Sequence, residues 1–234
     1  VRSTLPPKNS LTSWVLNSGF DGVHQRGGGV DWVPLLNTQL SKPTTVLSKT
    51  LVGHADDVNS VTFSTDGKLV ASGSRDHTVK LWNAEDGSLV RTLEGHTGYV
   101  KCVAFSPDGK LIALGSADRQ LQLWNTEDGS LVRTLTHAGS VCFVAFSPDG
   151  TLIVSTSVSA DRELMLVKLW NAEDGRSYWT LKNAYQDSYV IFSPDSNLVA
   201  YGTRDDTVIF CNVEDGSLVR TLEGHTDEVT SVTF

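Results

Sequence analysis

From Val58 onward the chain alternates short apolar runs with Gly/Asp turns. One unit reads "VNSVTF", the turn "STDG", "KLVASGS", the turn "RD", "TVKLWN", the turn "AEDG" and "SLVRTL". Runs of this length, rich in β-branched residues and broken about every ten residues, predict antiparallel strands rather than helices. Each unit therefore predicts a four-stranded sheet. A single sheet of that size cannot bury both faces, whereas copies stacked around an axis can, and closing the ring leaves only short, protected edges.

The unit repeats. Phe63, Phe105, Phe146, Phe192 and Phe234 are spaced 42, 41, 46 and 42 residues apart. Trp82-Asn83, Trp124-Asn125 and Trp170-Asn171 recur in step, with Cys211-Asn212 in the fourth place. Gly-His pairs stand at Gly53-His54, Gly95-His96 and Gly224-His225, and "EDGSLVRTL" begins at Glu85, Glu127 and Glu214. A period near 42 with Gly-His early and a Trp pair late resembles the WD-repeat family, here with Trp-Asn in place of Trp-Asp. The resemblance covers residues 44–234. It implies an all-β fold, a β-propeller of four-stranded antiparallel blades, with four complete blades (58–93, 99–135, 141–182 and 188–222) and a partial fifth. The near-copied repeats also resemble those of NACHT-type signalling ATPases and of kinase-linked propellers.

The resemblance further implies a buried tetrad of His, Ser or Thr, Asp and Trp in each blade. By position the first blade has His54, Ser72, Asp76 and Trp82. The second has His96, Asp118 and Trp124, with Leu114 in place of the serine. The third has His137, Ser155 and Trp170, with Asp161 placed less firmly by a five-residue insertion. The fourth has only Asp205, with Asn183, Tyr201 and Cys211 in the other places. Such a set is physically coherent, because a buried indole N–H needs an acceptor and a histidine beside a carboxylate can extend the network. The same residue types also compose a Ser-His-Asp catalytic triad. Their recurrence from blade to blade, and the loss of the serine at Leu114, favour scaffolding.

Charge narrows the partners. The formal net charge is −8, and the 19 basic residues form no run, which argues against nucleic acid and anionic membranes. Three cysteines and no Asn-x-Ser/Thr acceptor point to a reducing, cytoplasmic setting. No initiator Met is present, which suggests a processed product or a fragment. Gly27–Gly29 lack the Gly-Lys-Ser/Thr ending of a phosphate-binding loop and read as a flexible loop. The six histidines have no zinc-ligand spacing, so neither metal nor cofactor is expected.

Strand order sends the loops to two faces. One carries the "SPDG"-type and "EDG" turns, with twelve of the 27 acidic residues, which read first as turn chemistry and solubility. The other carries the Gly-His loops and the turns between second and third strands, where near-copied repeats diverge. Loops on a rigid scaffold commonly carry binding, and the resemblance implies partner binding on this face. Asp57, Arg75, Tyr99, Arg162, Tyr185 and Arg204 are the expected contacts. Trp179, standing where other repeats have Arg91, Arg133 and Arg220, is expected to face solvent and serve as a further anchor. The function expected is a non-catalytic scaffold or ligand-sensing domain for proteins or peptides. Carbohydrate or small-molecule binding and a propeller hydrolase are the alternatives. Residues 1–43 are read as a linker, or as the source of two strands (11–17 and 31–37) completing a fifth blade whose outermost strand is 44–52. Self-association is the other route to a complete ring.

Overall fold

The computed structural model describes residues 49–158, 165–184, 190–203, 205–227, 229 and 231–234. The expected strands at 11–17 and 31–37, the 1–43 segment and the residues inserted in the third blade lie outside the described residues. Those described contain no helix and form four antiparallel sheets of four strands. Blade 1 comprises β1 (Val58–Phe63), β2 (Leu69–Ser74), β3 (Thr78–Asn83) and β4 (Leu89–Glu94). Blade 2 comprises β5 (Val100–Phe105), β6 (Leu111–Ser116), β7 (Gln120–Asn125) and β8 (Leu131–Thr136). Blade 3 has β9 (Ser140–Phe146), β10 (Leu152–Val158), β11 (Met165–Asn171) and β12 (Ser177–Ala184). Blade 4 has β13 (Val190–Phe192), β14 (Leu198–Gly202), β15 (Val208–Asn212) and β16 (Leu218–Leu222).

Within each blade the strands pair in sequence order, and β1, β5, β9 and β13 pack against one another along the chain, so they line the inner side of the arc. Burial follows this layering. The second strand of blade 1, "LVASGS", is almost wholly buried, whereas the fourth, "LVRTLE", is mostly open.

The turns explain the repeated Ser-x-Asp-Gly and Asn-x-Glu-Asp-Gly strings. After β1 the Ser64 hydroxyl donates to Asp66 (2.7 Å) and accepts from the Leu69 N–H, and Gly67 takes a positive φ of 71°. After β3 the Asn83 side-chain oxygen accepts from the N–H groups of Glu85 and Asp86, and Asp86 accepts from Ser88. The aspartates of this face are thus engaged in local turn geometry. The Ser64 hydroxyl and the Lys68 N–H hold the Asp66 carboxyl down at about 2.

The blades join through apolar clusters. Phe105 of blade 2 sits with Ala71, Val79, Leu81 and Leu93 of blade 1. Phe192 of blade 4 sits with Val154, Val167 and Leu169 of blade 3. Close approach demands glycine at two places. A Cβ on Gly73 would lie 2.7 Å from Val100, and one on Gly115 would lie 2.4 Å from the Cys102 sulfur. Blade 3 has Thr156 at this position.

Candidate functional site

The tetrad residues of blade 1 come together from four elements: the segment before β1, strands β2 and β3, and the turn between those two strands. The Trp82 indole N–H donates to the Ser72 hydroxyl (2.8 Å), which lies 2.7 Å from His54 Nε2. His54 Nδ1 lies 2.8 Å from Asp76, which also accepts from the Ala55 N–H (2.9 Å) and from the Thr78 hydroxyl (2.7 Å). Burial pushes the Asp76 carboxyl up, but the bonds from Thr78, Ala55 and His54 overcome it and hold the carboxyl below its ordinary range. The order His–Ser–Asp reproduces the connectivity of a catalytic triad. Ser72, however, is 0% exposed and its oxygen already accepts from Trp82, so it has no path to a substrate carbonyl.

Blade 2 keeps half of this arrangement. His96 Nδ1 lies 2.8 Å from Asp118, whose carboxyl is raised by burial but lowered overall by His96 and the Thr97 N–H. Leu114 offers no hydroxyl, and Gln122 replaces it: its side-chain oxygen accepts the Trp124 N–H at 3.0 Å. His96 Nε2 is left buried with no partner among the described residues. Gln122 escaped the sequence reading, yet it lies two residues before Trp124 on the same strand face, which period-two alternation would have shown.

In blade 3, Trp170 donates to the Ser155 hydroxyl (2.8 Å), which lies 3.2 Å from His137 Nε2. Asp161 lies outside the described residues. Burial, together with the nearby Lys168 ammonium, lowers His137 to about 3. Lys168 itself stands 4.8 Å over the Trp170 ring. Blade 4 has a different interior. Tyr201 and Cys211 occupy the serine and tryptophan positions, both buried, with the Tyr201 hydroxyl bonded to the sulfur. Asp205 is exposed at the turn, and its N–H reaches the Thr203 hydroxyl at 3.3 Å.

Above blade 1, on the Gly-His-loop face, Asp57, Arg75 and Tyr99 converge. Arg75 pairs with Asp57 at 3.2 Å and its guanidinium carbon stands 5.8 Å from the Tyr99 ring centre. His77, which the sequence reading did not single out, joins them: its ring centre is 5.6 Å from that of Tyr99. His77 has a φ of 70°, and Arg119 and Asp206 at the matching turns of blades 2 and 4 are also left-handed, so these side chains are presented by a common turn. Tyr99 is 48% exposed. Arg162, Tyr185 and Arg204 lie outside the described residues.

Trp179 does not face solvent as expected. It is half-buried, packs on Gly216 of blade 4 and donates its N–H to the Val213 carbonyl at 2.8 Å. The matching arginines explain the position: Arg91 donates to the Glu127 carbonyl (2.9 Å) and Arg133 to the Glu173 carbonyl (2.7 Å) of the next blade. Tryptophan and arginine share a long side chain with an N–H near its tip, and here both clasp the following blade.

Two family models match the chain: WD domain, G-beta repeat over residues 45–83, and IFT122 first beta-propeller over residues 77–234. The chain is similar to Ribosome assembly protein 4 of Chaetomium thermophilum, 51% identical over 41 residues, which are 18% of this chain and 8% of that protein. It is similar to the Notchless protein homolog of Arabidopsis thaliana, 52% identical over 42 residues, 18% of this chain and 9% of that protein. It also resembles the Vegetative incompatibility protein HET-E-1 of Podospora anserina, 51% identical over 41 residues, 18% of this chain and 3% of that protein. The aligned stretch is about one repeat, under a tenth of the length of each relative. With four in-register blades and a propeller model matching more than half of its length, the chain belongs to the WD-repeat β-propeller family.

Proposed function

We propose that this chain is a non-catalytic protein-interaction scaffold that engages its partner on the Gly-His-loop face. The observation that carries this reading is the cluster of Asp57, Arg75, His77 and Tyr99. Tyr and Arg are the side chains most often found as interface anchors. Here they are held in place by one another and remain partly open to solvent. On the opposite face the aspartates are already bonded within their turns, which leaves those carboxylates less to gain from a partner. The name of one relative, Ribosome assembly protein 4, speaks of assembly and accords with a scaffold.

The test is site-directed photo-crosslinking in lysate of the native source, with the photoreactive residue at Tyr99 or at Asp128. A discrete protein adduct from position 99 and none from position 128 supports the reading. The reverse pattern assigns binding to the acidic face and overturns it.

A further inference from the structure

Blades 1 and 2 build the same junction of the Gly-His-loop face from different residues. In blade 1 the Arg75 N–H donates to the Asp57 carbonyl (2.8 Å), and the two side chains form an ion pair. In blade 2 the matching bond runs from the Ala117 N–H to the Tyr99 carbonyl (2.9 Å). Tyrosine and alanine thus stand where blade 1 has its ion pair. Ala117 brings no charge to Tyr99, whose ring contacts Arg75 and His77 of the preceding blade and stays open on its other side.

Cations gather at this junction without matching carboxylates. Lys101 lies two residues after Tyr99, at the bulge where the β5–β6 register shifts between Val100 and Cys102. A bulge re-aims its side chain, and the Lys101 ammonium reaches the Cys142 sulfur of blade 3 at 3.7 Å, a weak acceptor that leaves the charge unbalanced. Asn59, at the same bulge of blade 1, instead gives its amide to the Val100 carbonyl (2.8 Å). Arg119, two residues after Ala117, is exposed on a left-handed backbone with a φ of 71°. Neither Lys101 nor Arg119 has an ion pair among the described residues. The acids around them are engaged: Asp57 by Arg75, Asp76 by His54 and Asp118 by His96. Asp56 accepts from the Asp57 N–H, and Glu94 ends the outermost strand, β4. The opposite face is the reverse, with Lys68 and Lys110 paired to Asp66 and Asp108 at 3.2 and 3.8 Å.

We propose that this junction takes an acidic peptide segment, with carboxylate side chains on Lys101 and Arg119 and an apolar side chain on the Tyr99 ring. The proposal rests on the reading that partners engage the Gly-His-loop face, and adds the partner's chemistry to it. Charge complementarity selects the occupant, because unpaired cations steer an anionic partner and fix its register. Carboxylate oxygens also form the stronger, charge-assisted hydrogen bonds with ammonium and guanidinium groups. The two cations come from separate elements, an inner-strand bulge and the turn between β6 and β7. They therefore suit separate carboxylates along an extended chain better than one compact phosphate.

Fluorescence anisotropy on the full chain tests this, with a labelled peptide of repeated Glu-Leu-Asp as the probe. The comparison peptides carry Gln and Asn, or Lys, in place of the acids, or a single phosphoserine in the Gln/Asn background. The acidic probe is expected to bind about tenfold more tightly than the Gln/Asn peptide, and to weaken as salt screens the contacts. Lys101→Gln and Arg119→Gln should each weaken it about threefold and the double variant about tenfold, whereas Lys68→Gln/Lys110→Gln on the opposite face should leave it unchanged. Circular dichroism verifies the fold of every variant, and the exposed Arg119→Gln serves if Lys101→Gln does not fold. Equal binding of the acidic and Gln/Asn peptides would overturn the proposal, as would acidic binding that survives the double variant. Tighter binding of the phosphoserine peptide would overturn it in favour of a phosphate. Competition separates this proposal from the reading it rests on. Excess acidic probe should suppress the lysate adduct formed from position 99. An adduct that persists overturns the acidic partner and keeps the face. Acidic binding lost in the double variant, with no adduct from position 99, keeps the acid-binding junction and removes the native partner from it.

Discussion

Blade 1 and blade 4 share strand order and turn chemistry but fill the space between their second and third strands differently. Blade 1 sets a small hydroxyl, Ser72, beside a large ring, Trp82, and ties both to His54 and Asp76. Blade 4 reverses the sizes, with the large ring at Tyr201 and the small side chain at Cys211, and reduces the network to one bond. Both solutions keep the volume and give the buried polar atoms a partner, the two conditions a packed interior imposes. Blade 2 stands between them, with Leu114 filling volume and Gln122 accepting from Trp124. The network is thus one way of satisfying an interior that any compatible pair can satisfy.

The largest expected effect separates the two blades directly. Trp82→Ala removes a ring that is 3% exposed and also strands the Ser72–His54–Asp76 chain, and should cost about 3–5 kcal/mol. Cys211→Ala should cost nearer 1 kcal/mol, as an ordinary core change does. Denaturant midpoints measure the difference, and equal losses would count against the role given to the blade 1 network.

Next in size is the exchange in blade 2. Gln122→Lys, which imports the residue found at Lys80 and Lys168, leaves the Trp124 N–H without its acceptor and should cost about 1–3 kcal/mol. Adding Leu114→Ser restores the acceptor of blades 1 and 3 and offers His96 Nε2 a partner. A double-mutant cycle should therefore show favourable coupling of about 0.5–3 kcal/mol. Additive losses would contradict the substitution of Gln122 for serine.

The pH dependence of stability distinguishes blade 3. His137 has a pKa of about 3 in the folded chain, against an ordinary 6.5. Between those values the unfolded chain binds a proton that the folded chain does not, so stability falls as pH drops from about 6.5 towards about 3. The lowered carboxyls of Asp76 and Asp118 act lower, contributing stability above their unfolded value of 3.8 and losing it as pH falls through their folded values. His137→Gln should flatten the upper part of this fall while leaving the acid limb. An unchanged slope between pH 6.5 and 4.5 would refute the assignment.

The smallest effect is expected at the clasp between blades 3 and 4. Because arginine makes the matching contact twice, Trp179→Arg should change stability by no more than about 1 kcal/mol, and Trp179→Ala by more. Thermal unfolding of the two variants decides the order.

The four-strand unit and its turns were legible because period-two runs and Asp-Gly turns are local signals. The sequence also indicated which residues of blade 1 meet, through a motif repeated in register. It did not reveal the clasp of Trp179, because the acceptor, Val213, lies 34 residues away on another blade. Nor did it reveal His77, whose importance comes from a left-handed turn that swings the ring towards Tyr99. The Tyr201–Cys211 pair reads in sequence as a lost network, because a motif scores identity and not the volume shared by two facing strands.

The central claim, that partners are held on the Gly-His-loop face, is tested most directly by affinity. Titration calorimetry with the captured partner should compare the wild type with Arg75→Ala/Tyr99→Ala and with Glu85→Ala/Asp128→Ala. The account predicts at least a tenfold loss for the first pair, corresponding to about 1.4 kcal/mol, and less than a threefold change for the second. An intact affinity in the first variant with a tenfold loss in the second would contradict it.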